Sequence, residues 1–149
     1  MTYEIKIRLT KPFLGALRPD VNGVRRFDHR NRQILVPRED WLDAMRKAAK
    51  LLGMHKVRTE TIFPPVAIRP PTIHLYRRIF NRTQVENFES FRAGTVLTLE
   101  FIVDVEDKAR PGQESLKRML EFVGLNIGFS PFGNRFGFGR FELLSIVEK

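Results

Sequence analysis

Thr95-Val96-Leu97-Thr98-Leu99-Glu100-Phe101-Ile102-Val103-Asp104-Val105 decides how this chain is read. Leu97, Leu99, Phe101, Val103 and Val105 fall on one side of an extended chain, and Thr98, Glu100 and Asp104 on the other. That period of two marks a strand with one buried face, expected at the centre of a sheet. Working outward, Tyr3, Ile5, Ile7 and Leu9 alternate with Glu4, Lys6, Arg8 and Thr10 in the same way, and a last strand is expected over about 139 to 147. Between these strands the period changes to that of a helix. Acidic Glu39 and Asp40 follow Pro37, and Trp41, Met45, Ala48 and Leu52 recur at helical spacing until Gly53, which predicts a helix over 39 to 52. Leu116, Met119, Leu120 and Val123 form a second stripe over 113 to 123, ending at Gly124.

The remaining segments are punctuated by proline and glycine. Pro12, Gly15, Pro19 and Gly23 make 11 to 33 an irregular excursion, with a turn at Asn22-Gly23 and a short return strand at Ile34-Leu35-Val36. Residues 57 to 68 read as extended but interrupted by Pro64-Pro65, and Pro70-Pro71 separates them from Ile73-His74-Leu75-Tyr76; prolines confine such strands to edges or projecting ribbons. The polar interval 81 to 94 reads as a loop tethered by Val85, Phe88 and Phe91. The order is strand, helix, a ribbon or two strands, then strand, helix, strand. It predicts an α+β chain of the ferredoxin-like βαββαβ type: one antiparallel sheet, both helices on one face, basic loop or ribbon insertions, and a single domain over 1 to 149.

At 149 residues and 42% hydrophobic content the chain can bury one ordinary core. No run of about 18 apolar residues and no charged-then-apolar leader is present, so a soluble, cytoplasmic protein without membrane contact is expected. The absence of cysteine excludes disulfides, thiolate metal sites and cysteine nucleophiles. Net charge is +9 and is concentrated. Arg18, Arg25, Arg26, Arg30 and Arg32 face Asp20 and Asp28 in one segment, giving +3. Lys56, Arg58, Arg69, Arg77, Arg78 and Arg82 face Glu60 in another, giving +5, and the remaining 107 residues contribute +1. Clustered arginine suits phosphate, because a guanidinium fork binds it bidentately and also stacks on bases.

The C-terminal run Gly128-Phe129-Ser130-Pro131-Phe132-Gly133-Asn134-Arg135-Phe136-Gly137-Phe138-Gly139-Arg140-Phe141 sets glycines among aromatics and two arginines. Two readings are open. The aromatics and arginines grip bases and phosphates, or Phe136, Phe138 and Phe141 fill the core beneath a helix.

Leu9-Thr10-Lys11-Pro12-Phe13-Leu14-Gly15, the strand after Ala93-Gly94-Thr95 and the ending Gly137-Phe138-Gly139-Arg140-Phe141, in this order, resemble the RAMP superfamily of ferredoxin-like RNA-binding proteins known from CRISPR systems, and more closely small phage and prophage proteins of that type. The superfamily's glycine-rich loop carries paired glycines, whereas Gly128 here stands alone, separated from Gly137 by eight residues. The resemblance implies a nucleic-acid role, single-stranded RNA foremost with DNA as the alternative, alone, in self-assembly or beside other subunits of a ribonucleoprotein.

Arg18, Arg25, Arg26, Arg30, Arg32, Arg69, Arg77, Arg78, Arg82, Arg135 and Arg140 are the expected phosphate contacts, with Phe27, Tyr76, Phe80 and Phe138 as stacking faces. His29, in Arg25-Arg26-Phe27-Asp28-His29-Arg30, is the best candidate for a general base, with the arginines around it stabilising a developing phosphorane charge; His74, between Ile73 and Leu75, reads as structural. A non-catalytic binding protein is preferred. The alternatives are a metal-independent endoribonuclease of the RAMP type and a phage or defence assembly protein whose basic arms meet an acidic partner. Asp104, Glu106 and Asp107 cluster at a strand end without spaced histidine or cysteine ligands, so no metal and no cofactor are expected.

Overall fold

The computed structural model describes residues 1–81, 84–130 and 137–149, with Phe80, Asn81 and Gln84 described for their backbone alone. In chain order the elements are β1 (Thr2–Leu9), β2 (Phe13–Leu14), β3 (Val24–Arg25), β4 (Asp28–Arg30), β5 (Gln33–Leu35), α1 (Arg38–Leu51), β6 (Ile62–Phe63), β7 (Ala67–Ile68), β8 (His74–Asn81), β9 (Gln84–Phe91), β10 (Val96–Val103), α2 (Gln113–Phe122) and β11 (Phe141–Glu148). The fold is mixed α+β, with antiparallel sheets and two helices.

The main sheet has the order β11-β1-β10-β6, every neighbour antiparallel. Its register sets Tyr3 against Phe101, Ile5 against Leu99 and Ile7 against Leu97, so the two alternating patterns in the sequence share one face. That face is buried with Trp41, Met45 and Ala48 of α1 and Leu116, Met119 and Leu120 of α2 in one core. Trp41 is fully buried; its ring centroid lies 4.0 Å from that of Phe129 and meets Phe101 edge-on at 5.3 Å. The terminal ammonium donates to the Val103 carbonyl at 2.9 Å, fixing β1 at the end of β10.

A second sheet is centred on β9, which pairs with β8 along one edge and with β2 and β3 on the other. A third joins β5 to β4 and β7. These two sheets correct the expectation of projecting arms. Residues 81 to 94 are mostly strand, not loop, because β9 finds partners on both sides. The segment from Lys56 to Arg82 does not project as a unit: Thr59, Thr61, Ile62 and Ile68 are buried, and Ile62 and Phe63 extend the main sheet. The strand at 95 to 105 ends at Val103, leaving Val105 exposed. Among the described residues no helix is long and apolar enough to cross a membrane.

Asp40, in the first turn of α1, carries a testable cost. Burial, then the neighbouring carboxylates of Asp43 and Glu39, push it up to about 6 from 3.8. A folded-state value above the unfolded one means that the native state binds the proton more tightly, so stability falls as pH rises from about 4 to 6 and the penalty persists above that. The helix N-terminus favours the charged form and solvent screens it, which reduces the penalty to about 1 kcal/mol. Asp40→Asn is therefore expected to raise Tm at pH 7.5 by about 2–4 °C and to leave it nearly unchanged at pH 4, as measured by thermal denaturation at the two pH values.

Candidate nucleic-acid interface

Arg25 and Arg77, one from each arginine-rich segment, lie 52 positions apart in the sequence, and β9 brings their strands together. Val24 and Arg25 lie level with Asn87 and Phe88 on one side of β9, while Arg77 and Tyr76 lie level with the same two residues on the other. The result is a pair of rows, Arg25–Phe88–Tyr76 and Val24–Asn87–Arg77, running across three strands. Phe88, the middle member of the first row, is fully buried. Arg78 stands opposite Glu86, whose carboxylate lies 3.6 Å from Arg25.

Phe138 joins this sheet from the C-terminal segment. Its half-buried ring meets Tyr76 edge-on at a centroid distance of 5.6 Å, and the Arg78 guanidinium lies 5.7 Å from its centre. Phe129 and Phe141 take the other path and are buried in the main core. The core reading holds for Phe141 and not for the half-buried Phe138; Phe132 and Phe136 lie outside the described residues.

The segment from 18 to 32 is seated by Glu89. This carboxylate is buried, its Oε1 accepts the Phe27 N–H at 2.9 Å and lies 2.9 Å from His29 Nε2, and its Oε2 faces Arg26 at 3.5 Å. The Gly15 N–H donates to the Glu89 carbonyl at 3.0 Å, and a Cβ at Gly15 would stand 2.6 Å from the Arg26 carbonyl carbon. The Leu-Gly motif thus lets two backbones touch, as glycine does where chains must approach closely. Arg26 also binds Asp20 at 2.6 Å; that bond, with the Val24 and Asn22 N–H groups, holds the Asp20 carboxyl below its usual range.

Each expected contact can now be placed. Arg18, Arg32 and Arg77 are exposed and have no ion-pair partner among the described residues; Arg30 is exposed with a long contact to Asp28 at 3.4 Å. Arg25 and Arg26 are engaged with carboxylates on the protein itself. Arg69 lies apart from Arg77, at the open edge of β10 in the main sheet. Arg140 is half-buried, donating to the Asn126 carbonyl at 3.2 Å beyond α2. Phe27 is no stacking face: it is buried between Phe13 and Phe91, at centroid distances of 5.6 and 4.9 Å. Arg82 and Arg135 lie outside the described residues, as does the Phe80 ring. Glu86 and Glu89, which seat the basic segment, sit in a polar stretch with no sequence pattern linking them to residues 25 to 29. Among the described residues no group of three or more metal-ligating side chains occurs.

No protein-family model and no curated protein matches the sequence. Among solved structures, a chain in the cryo-EM structure of the Type III-B Cmr-beta bound to cognate target RNA matches 98% of this chain with a TM-score of 0.55 and 10% identity. This chain spans 59% of the length of that one. At such identity the likeness is one of fold alone, a mixed α+β architecture shared over nearly the whole chain.

Proposed function

We propose that this chain is a non-catalytic single-stranded nucleic-acid-binding protein, with RNA preferred over DNA, acting as a RAMP-type subunit of a CRISPR-type or phage-borne defence ribonucleoprotein in the cytoplasm. The convergence of Arg25, Arg77, Arg78, Tyr76 and Phe138 on one sheet carries the reading. Strand addition to β9 brings two charge clusters distant in sequence onto one sheet, with Arg25 and Arg78 on the face that carries Tyr76 and Phe138 and Arg77 on the opposite face. Arginine beside an aromatic edge is the combination that tracks a single strand by phosphate contact and stacking. The strand order β11-β1-β10-β6 supports a ferredoxin-like framework: taken along the chain, these are the fourth, first, third and second strands of a βαββαβ unit. The RNA-bound assembly of the structural neighbour favours RNA and a multi-subunit setting.

Fluorescence anisotropy of a labelled single-stranded RNA across a salt series tests the reading. Log affinity should fall linearly with log salt, by about 0.7 per phosphate neutralised. Arg32→Ala and Arg77→Ala should each make the slope shallower by about that amount, because neither arginine is held by a carboxylate of the protein. Phe138→Ala should weaken binding by about 1–3 kcal/mol with little change in slope. Absence of binding to any single-stranded RNA or DNA at about 50 mM salt would remove the proposal.

One observation favours the cleavage reading as a second possibility. Glu89 orients the His29 ring at 2.9 Å with Arg26 beside it, as an orienting carboxylate does for a general base. Strand scission of a hairpin RNA in chelator, lost in His29→Ala, would establish it; intact RNA after prolonged incubation would exclude it.

A further inference from the structure

The strand whose alternation decides the fold has one edge that is almost bare. β10 pairs with β1 along its length, from Thr2–Ile102 to Arg8–Val96, but with β6 only at Ile102 and Val103. Beyond Phe63 the chain enters Pro64 and Pro65, which have no N–H with which to continue the ladder. Ala67 and Ile68 then pair with Leu35 and Ile34 instead, and the Val36 N–H donates to the Val66 carbonyl at 3.0 Å. Two segments that would run side by side therefore diverge. From Val96 to Phe101 the outer edge of β10 has no backbone partner among the described residues.

The gap is a slot. It comprises cavities of about 340 and 270 Å³ that share Arg69 and Thr98, bounded by β10 on one side and by Pro65 to Pro71 on the other. Leu97 and Leu99 also line it although their side chains are buried in the core, so main chain is what they present. Unpaired strand edges are normally covered or blunted, since a bare one templates the addition of another strand. Here the facing wall contributes Pro65, Pro70 and Pro71, none of which can donate a backbone hydrogen bond, so an incoming chain would pair with β10. Six residues of exposed edge span about 20 Å.

Charge selects the occupant. Lys149, at one end of the slot, is neutralised by Glu100 at 2.8 Å and Glu4 at 3.7 Å. Arg69, in the middle, is exposed and has no ion-pair partner among the described residues. Lys149 and Arg69 balance Glu4 and Glu100 over the whole slot, and the one charge without a partner at its middle is that of Arg69. Neither cavity is lined by an aromatic side chain on which a base would stack, and two glutamates stand at one end, which disfavours a nucleic-acid strand. We infer that the slot binds an extended segment of a partner protein, which adds as a strand to the open edge of β10 and sets a single carboxylate against Arg69. The site is independent of the basic surface on β9.

The probe is a blocked six-residue peptide of alternating threonine and valine with one central glutamate, titrated into isotope-labelled protein and followed by NMR. The amides of residues 96 to 101 should shift and gain protection from exchange. Replacing the central glutamate by lysine should weaken binding about tenfold, and Arg69→Ala should reduce that preference to about twofold or less. A peptide N-methylated at alternate positions, unable to donate to a strand edge, should not bind. Unmoved amides at millimolar peptide, equal binding of the N-methylated peptide, or shifts produced by an RNA oligomer and not by the peptide would each overturn the inference.

Discussion

Gly139→Ala is expected to leave little folded protein. Gly139 has a φ of +77°, in the left-handed region, and a Cβ there would meet the Ser130 backbone nitrogen at 2.3 Å and its Cα at 2.9 Å. The obstruction is backbone that cannot move aside, since the Ser130 hydroxyl accepts the Leu14 N–H at 2.8 Å and donates to the Leu14 carbonyl at 3.2 Å in a fully buried site. The Gly139 N–H in turn donates to the Pro12 carbonyl at 2.7 Å. The substitution therefore pushes against a bonded junction between the start of the chain and its end, and more than about 4 kcal/mol is expected. Gly94→Ala is the control. Its φ of +91° is equally unfavourable, but nothing lies within 4 Å, so only the conformational penalty of about 1–2 kcal/mol should appear. Soluble yield and thermal melts of the two variants measure the difference; equal losses would mean that Ser130 yields to the added methyl.

The second large effect is expected at Glu89. Glu89→Ala removes the acceptor of the buried Phe27 N–H, the counter-charge of Arg26 and the partner of the His29 ring, at a cost of about 1–3 kcal/mol. Glu89→Gln keeps an acceptor for the N–H and should lose less. Hydrogen exchange should show residues 18 to 32 losing protection while β1 and β10 keep theirs, because the segment would come loose as a unit. Nucleic-acid binding supplies the stronger discrimination. Removal of an acidic residue raises the net charge, which by electrostatics alone would tighten binding to RNA. If the position of the arginines matters, Glu89→Ala must weaken binding despite its extra positive charge.

The main sheet and its helices were legible because each has one buried face. Tyr3 to Leu9 and Leu97 to Val103 alternate cleanly, α1 falls within a residue of the stripe at 39 to 52, and α2 starts with the stripe at 113, although helical backbone does not stop at Gly124 but runs on as a π turn over Val123–Ile127. The strand β9 was not legible, for the opposite reason. Phe88, Glu89, Ser90 and Phe91 are all buried, so the period of two vanishes where neighbouring segments cover both sides of the strand. A buried glutamate and serine in such a run look like loop until their partners, Phe27 N–H and the His74 carbonyl, are known. The same gap explains the site. Composition located the arginine clusters, but it could not separate arginines held by the protein's own carboxylates, such as Arg25 and Arg26, from those left exposed, such as Arg32 and Arg77. Nor could it show that Phe27, adjacent to Arg26, turns inward onto Phe13 and Phe91.

The placement of β1 between β10 and β11 constrains how the protein is made. β1 is made before both strands it pairs with: Tyr3 lies against Phe101 of β10 on one side and Glu148 of β11 on the other. Until β10 emerges, Ile5, Ile7 and Leu9 have no sheet in which to bury themselves, and until β11 emerges β1 remains a bare edge. Pairing over such separations is slow, since the entropy of loop closure must be met before the contacts form. Until both partners have been made the nascent chain should therefore present an apolar alternating strand, and expression without sufficient holding chaperone should yield aggregates seeded by residues 2 to 9.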